Sequence, residues 1–342
     1  MHVFLIPMNT TMRKILFFCL GIIAAASLQS CNNNIDLYAK YKDITVVYGL
    51  LDASQDTNYI KINKAFLGPG NALVIAKIED SCNYDYKLDA KLIEKRNGVV
   101  TKTIALDTIT IYNKKPGTFY NPKQLVYYTK EKLNAQRSYE LNIQKNDNSN
   151  LITSTTGLVG GDNFMILTSS VNFSSTASNG SVKWHKADNA AMYEVIFRFH
   201  YIETLPGQEP TNECFEWSLG TYSESTLILD NLDNYTIGYS PEAFFPQLKE
   251  HLGENATALN VTRTFGDKDF EICIAAGGNE LYNFIQANAP SGSIAQGMTE
   301  YTNISNGYGV FSSRYKIEKV GVKMNALTVI ELEKKGWGFK KI

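Results

Sequence analysis

The chain has 342 residues, 44% hydrophobic and 12% aromatic with 20 Tyr and 17 Phe, too apolar for a disordered segment and long enough for two ordinary domains or one large one with insertions. Its 33 basic and 34 acidic side chains leave a net charge of −1; residues 1–30 hold Arg13 and Lys14 but no acid, so without them the net is −3. Such a balance offers no basic stripe for nucleic acid.

A leader comes first. From Met12 the residues run MRKILFFCLGIIAAASLQSC. Arg13 and Lys14 make a positive start, and the apolar stretch 15–28 has a signal-peptide length, short of the roughly 20 residues a spanning helix needs. Leu28-Gln29-Ser30-Cys31 resembles the bacterial lipoprotein signal, in which a leucine three positions before a cysteine and a small residue just before it direct cleavage. The resemblance implies a signal peptide over residues 1–30, with Met12 as an alternative start, and a diacylated Cys31, whose thiol is the nucleophile that accepts the lipid. Gln29 departs from the small residue preferred at its position. Two acyl chains anchor a protein stably, so attachment to a membrane without spanning it is expected. Residues 31–36, with Asn32-Asn33-Asn34, read as a tether.

Residues 37–158 read as an N-terminal β-sandwich domain. Strands are expected at 44–48 (ITVVY), 59–62 (YIKI), 86–92 (YKLDAKL) and 101–112, then at Tyr127-Tyr128, 139–143 (YELNI) and 151–155 (LITST). Turn signals between them, such as the polar run 145–150, suggest a sandwich, and no strong helix competes.

Residues 159–342 read as a C-terminal β-rich domain with two short helices, opening near Gly160-Gly161-Asp162. Strands are expected at 182–184 (VKW), 193–199 (YEVIFRF) and 226–229, with a loop over 186–191. A Trp strand followed by a Tyr-containing strand is similar to fibronectin type III modules, a likeness that implies a core role for Trp184. Ser240-Pro241-Glu242 has an N-cap serine, a first-turn proline and an early acid. That helix should end near Leu252 at Gly253, with Pro246 kinking or splitting it. The second helix starts at Asn279-Glu280 and carries Leu281, Phe284 and Ile285 on one face. Asn306-Gly307 marks a turn into a strand over 309–312. The expected fold is mainly β: tandem immunoglobulin- or fibronectin-like β-sandwich modules with a few helices packed on the second.

Catalytic signatures are missing from the sequence. His185, His200 and His251 are scattered and form no HExxH pattern. There is no GxSxG, and Ala276-Gly277-Gly278-Asn279 lacks the Gly-Lys-Ser/Thr of a phosphate loop. Glu79 with Asp80, and Asp267 with Asp269, read as solvated loop acids; Asp230, Asp233 and Asn234 lack calcium-loop spacing. Cys82, Cys214 and Cys273 are too many by one for a complete disulfide set. One pair could form and no spacing selects it; the preferred reading is three buried reduced thiols. No metal or cofactor is expected. Phe119, Tyr120, Tyr127, Tyr128, Phe215, Trp217 and Tyr222 are candidates for a stacking surface, with core packing the commoner use of such residues. Trp217 and Tyr222 stand out as ligand-binding candidates because their surroundings look like a polar loop.

The lipobox, the N-terminal β module, the helix before Pro290 and the closing TNISNGYGVFSSR together resemble an uncharacterised Bacteroidetes-type outer-membrane lipoprotein family, a domain of unknown function. Members are often encoded beside TonB-dependent transporters, and no catalytic residues are assigned in the family. The stretch from Gly68 to Cys82 is longer than the family pattern. The resemblance implies a non-enzymatic binding or accessory component of an outer-membrane nutrient-uptake system. The alternative is a structural or adhesive envelope lipoprotein that binds another protein; an unrecognised hydrolase is the third reading. Asp36 is the only acid close behind Cys31, so the periplasmic and cell-surface faces both stay open.

Overall fold

Alternation builds the first hairpin. In β1 (Ile44–Leu51) Thr45, Val47, Gly49 and Leu51 are buried, and in β2 (Asn58–Ala65) Asn58, Ile60 and Ile62 are, so the intervening residues form the outer face. Asn58 ties the turn, accepting from the Asp52 N–H at 2.7 Å and donating to the Asp52 carbonyl at 3.2 Å. This computed structural model describes residues 44–65, 71–112, 114–147, 150–257, 260–289 and 301–342. Cys31, the leader and the tether lie outside the described residues. Of the described residues 48% are strand and 17% helix, so the fold is mainly β, as the β-branched and aromatic runs predict.

Two single helical turns follow, α1 (Ala72–Ile75), capped by Asn71, and α2 (Glu79–Cys82), in a region expected to hold no helix. Four residues are too few to show a helical period. β3 (Asp89–Arg96) starts three residues later than expected and turns through Asn97-Gly98, both at positive φ, into β4 (Val99–Ala105). The strand expected over 101–112 is two strands in different sheets. At Leu106, whose buried N–H donates to the Ala90 carbonyl at 2.9 Å, the chain leaves β4 and enters β5 (Asp107–Ile111). β6 (Gln124–Thr129), β7 (Ser138–Gln144) and β8 (Ile152–Gly157) complete this half.

Next come β9 (Ser170–Val171), β10 (Gly180–His185), the 15-residue β11 (Ala190–Thr204) and β12 (Thr211–Ser223). Residues 226–229 are not a strand: a 3-10 turn covers Glu224–Thr226, and Leu229 makes one isolated bridge to Tyr235. After β13 (Asn234–Tyr239), the helix expected from Ser240 is a 3-10 turn, Pro241–Ala243, running into α3 (Phe244–Leu252), which stops at Gly253 with φ 57°. β14 (Thr262–Phe265), β15 (Phe270–Gly278) and α4 (Asn279–Asn288) precede β16 (Gly307–Val320). β17 (Lys323–Met324), α5 (Ala326–Lys334) and β18 (Phe339–Lys341) close the chain.

A ten-stranded sheet runs β18-β14-β11-β15-β16-β1-β2-β6-β5, with β12 beside β11. Its centre is the parallel pair of β1 with β16, in which Val47 faces Gly309. A Cβ at position 309 would lie 2.0 Å from the Val47 carbonyl oxygen, and φ there is +106°, so only glycine fits. A four-stranded sheet, β4-β3-β7-β8, faces the β1–β2 portion across one core, with Val47, Ile60 and Ile62 on one side and Leu92, Leu141 and Ile143 on the other. A second core runs from Val159 to Phe339 and combines β11 and β15 with the β10–β13 pair and α3. Trp184 is fully buried there against Tyr193 and Tyr235. Phe311 lies in the first core, and Tyr315 on the same strand packs against both.

Candidate functional site

The residues singled out in the sequence are mostly occupied by packing. Phe215 and Tyr127 are core side chains. Trp217 stands on strand β12, not in a loop, and its half-buried ring packs at 5.7 Å against Phe197 and 6.2 Å against Phe173. Tyr222, at the end of that strand, donates to the Leu219 carbonyl at 2.8 Å. Cys82, Cys214 and Cys273 are free thiols, Cys214 half-buried and the others buried, and burial pushes all three up. His185, His200 and His251 stand on β10, β11 and α3. Among the described residues no three His, Cys, Asp or Glu side chains gather as metal ligands. Asp230 caps its own loop and pairs with Lys183 at 2.8 Å, Asp269 accepts from the Gly266 N–H, and Asp267 pairs with Lys341.

The outer face of the first hairpin is different. There Val46, Tyr48, Lys61, Asn63 and Ala65 point away from the core, and register places Tyr48 opposite Lys61 and Val46 opposite Asn63. Cys82 from α2 and Lys114, Phe119 and Tyr120 from the segment before β6 close over that face and bound a cleft of about 310 Å³; Lys64 reaches its rim from β2, but its ammonium lies over the Tyr84 ring on the core side. The covering segment is held by a hydrogen bond from the Tyr120 N–H to the Ala76 carbonyl at 2.7 Å. Lys114 Nζ also donates to the Tyr120 carbonyl at 3.2 Å. Glu79 accepts from the Tyr120 hydroxyl at 2.9 Å and pairs with Lys123 at 2.9 Å, which holds its carboxyl below the usual range.

Charge in the cleft is one-sided. Lys61 and Lys114 supply its ammoniums, and no carboxylate stands among its described lining residues. Burial, then repulsion from Lys114, lowers the Lys61 ammonium below its usual value. Asn63 is spent, donating to the Cys82 carbonyl and Asn83 Oδ1 and accepting from Gln124. The Cys82 thiol donates to the Ala76 carbonyl at 3.3 Å and stays protonated. Tyr48, half-exposed, meets Phe284 of α4 edge-on at 6.1 Å, and Phe119 is exposed. The arrangement can hold an anion against aromatic walls.

Two of the aromatic candidates, Phe119 and Tyr120, belong to this cleft, while Tyr48, Lys61 and Lys114 are not among the residues the sequence singles out. Alternation in β1 and β2 places Tyr48 and Lys61 on one face, a signal present in the sequence. Nothing local announces that Lys114 returns to the same place. No family model matches the chain, and a search of curated proteins finds no match.

Proposed function

We propose that the chain is a lipid-anchored cell-envelope protein, held at the outer membrane through Cys31, and a non-catalytic binding or accessory component of a nutrient-uptake system working with a TonB-dependent transporter. The cleft over β1 and β2 is the observation that supports a binding role: it sets the ammoniums of Lys61 and Lys114 beside the rings of Tyr48 and Phe119. The leader and its terminal Cys31 support the anchor. Tandem sandwich modules of immunoglobulin or fibronectin kind are the finer fold reading, supported by two cores that each take side chains from two sheets.

A second reading, a structural or adhesive envelope protein that binds another protein, is favoured by the terminal strand β5. It ends the ten-stranded sheet with Ile109, Ile111 and the adjoining Tyr112 exposed, and an open edge can pair with another chain's strand.

The test is membrane fractionation with protease shaving of intact cells, comparing wild type with Cys31→Ala. The expected result is wild type in the outer membrane and the variant released, with impaired nutrient uptake; shaving from outside places the anchor on the cell surface. A soluble wild type overturns the anchor. Release with unchanged uptake but lost attachment to a partner supports the adhesive reading.

A further inference from the structure

We propose that the β1–β2 cleft takes a small dianion with a planar apolar body, an aryl phosphate or aromatic dicarboxylate in class; this rests on the binding-protein reading and supplies its ligand.

Charge count is the first argument. Lys61 and Lys114 converge with no carboxylate among the described lining residues. Glu79, the nearby acid, is neutralised by Lys123 and the Tyr120 hydroxyl. A monoanion would leave one of the two positive charges unmet, whereas a dianion relieves the repulsion between Lys61 and Lys114 that helps lower the Lys61 ammonium. Cations without a counter-charge in a partly desolvated site are costly to fold unless something compensates them.

Shape and wall chemistry decide the body. At about 310 Å³ the cleft lies at the lower end of the roughly 300–1,000 Å³ typical of ligand pockets, room for a single-ring molecule. Tyr48 and Phe119 present rings and Val46 and Ala65 present aliphatic surface, which a bare inorganic anion would leave wet. Lysines are point-charge donors that follow a phosphate or carboxylate without a fixed fork, so either head group fits.

Isothermal titration of the full-length protein in non-ionic detergent tests this, with phenyl phosphate, phthalate, inorganic phosphate and phenol as probes. One phenyl phosphate or phthalate per chain is expected, bound about tenfold or more tighter than phenol, which lacks the charge-assisted contacts, and than inorganic phosphate, which leaves the apolar walls uncovered. Lys61→Gln and Lys114→Gln should each weaken phenyl phosphate about tenfold, and Lys61→Arg should retain it. Phe119→Ala should weaken phenyl phosphate and leave inorganic phosphate unchanged. Circular dichroism confirms that each variant is folded. Equal affinity in folded Lys61→Gln, phenol binding as tightly as phenyl phosphate, or no binding of either dianion by folded wild type overturns the ligand class. None of those outcomes touches the release of Cys31→Ala from membranes, so the two readings fail separately.

Discussion

Arg263 shows how one residue can organise a region that no local pattern marks. Its side chain is fully buried, donating from Nε to Glu203 at 2.7 Å and from the guanidinium to the Trp337 and Asn255 carbonyls at 2.5 and 2.9 Å. A planar, permanently charged donor fork reaches three separate segments at once, which a lysine could not do. Removing it strands the half-desolvated Glu203 carboxylate and two carbonyls. Arg263→Ala should therefore cost about 3–5 kcal/mol in a urea titration, the usual loss when a buried pair is broken. The paired change Arg263→Met with Glu203→Leu should recover much of that, because no charge is left unpaired; an Arg263→Ala midpoint equal to wild type would refute the role.

Pro246 illustrates what an element's sequence can and cannot say. A proline within 240–252 predicts a kink or split, and the chain does change from 3-10 to α geometry at Phe244, two residues before it. Pro246 thus sits in the first turn of α3, where a missing N–H is harmless, while Phe244, Leu248 and Leu252 bury the helix face. Pro246→Ala should change stability by less than about 1 kcal/mol, read as the same thermal midpoint within a few degrees; a large loss would mean the proline itself holds the junction. β12 carries a legible signal: Phe215, Trp217 and Leu219 alternate with Glu216 and Ser218, a period of two obscured by Gly220 and the bulge opposite it at Val195/Ile196. The break at Leu106 was not legible, since a run rich in Thr and Ile reads the same whether it stays in one sheet or crosses to another.

The whole molecule buries tyrosine on a scale that shapes its response to pH. Tyr139, Tyr193, Tyr201 and Tyr235 are all buried or nearly so, and desolvation raises each phenol above its usual value. Because the folded-state value is the higher one, the stability these groups lend is full below the unfolded value near pH ~10 and is lost as pH rises beyond it. Alkaline titration followed by absorbance at 295 nm and far-ultraviolet dichroism should show these tyrosines ionising together with loss of strand signal. Complete ionisation near pH ~10 with the dichroism intact would contradict that burial.

Local repetition determined what the sequence could say alone. A period of two is written in neighbouring residues, so the mainly-β class, the inner and outer faces of β1 and β2 and the start of the helix after Ser240 were all readable. Chemistry of the lipobox at Cys31 is likewise local, though it lies outside the described residues. Tertiary structure alone decided the parallel pairing of β1 with β16, which joins opposite ends of the described chain through one glycine. It also decided the cleft, because Lys61 and Lys114 share no segment and meet only when the stretch before β6 folds back over the hairpin. Contacts of that kind depend on where distant strands dock, and no window of neighbouring residues encodes the docking.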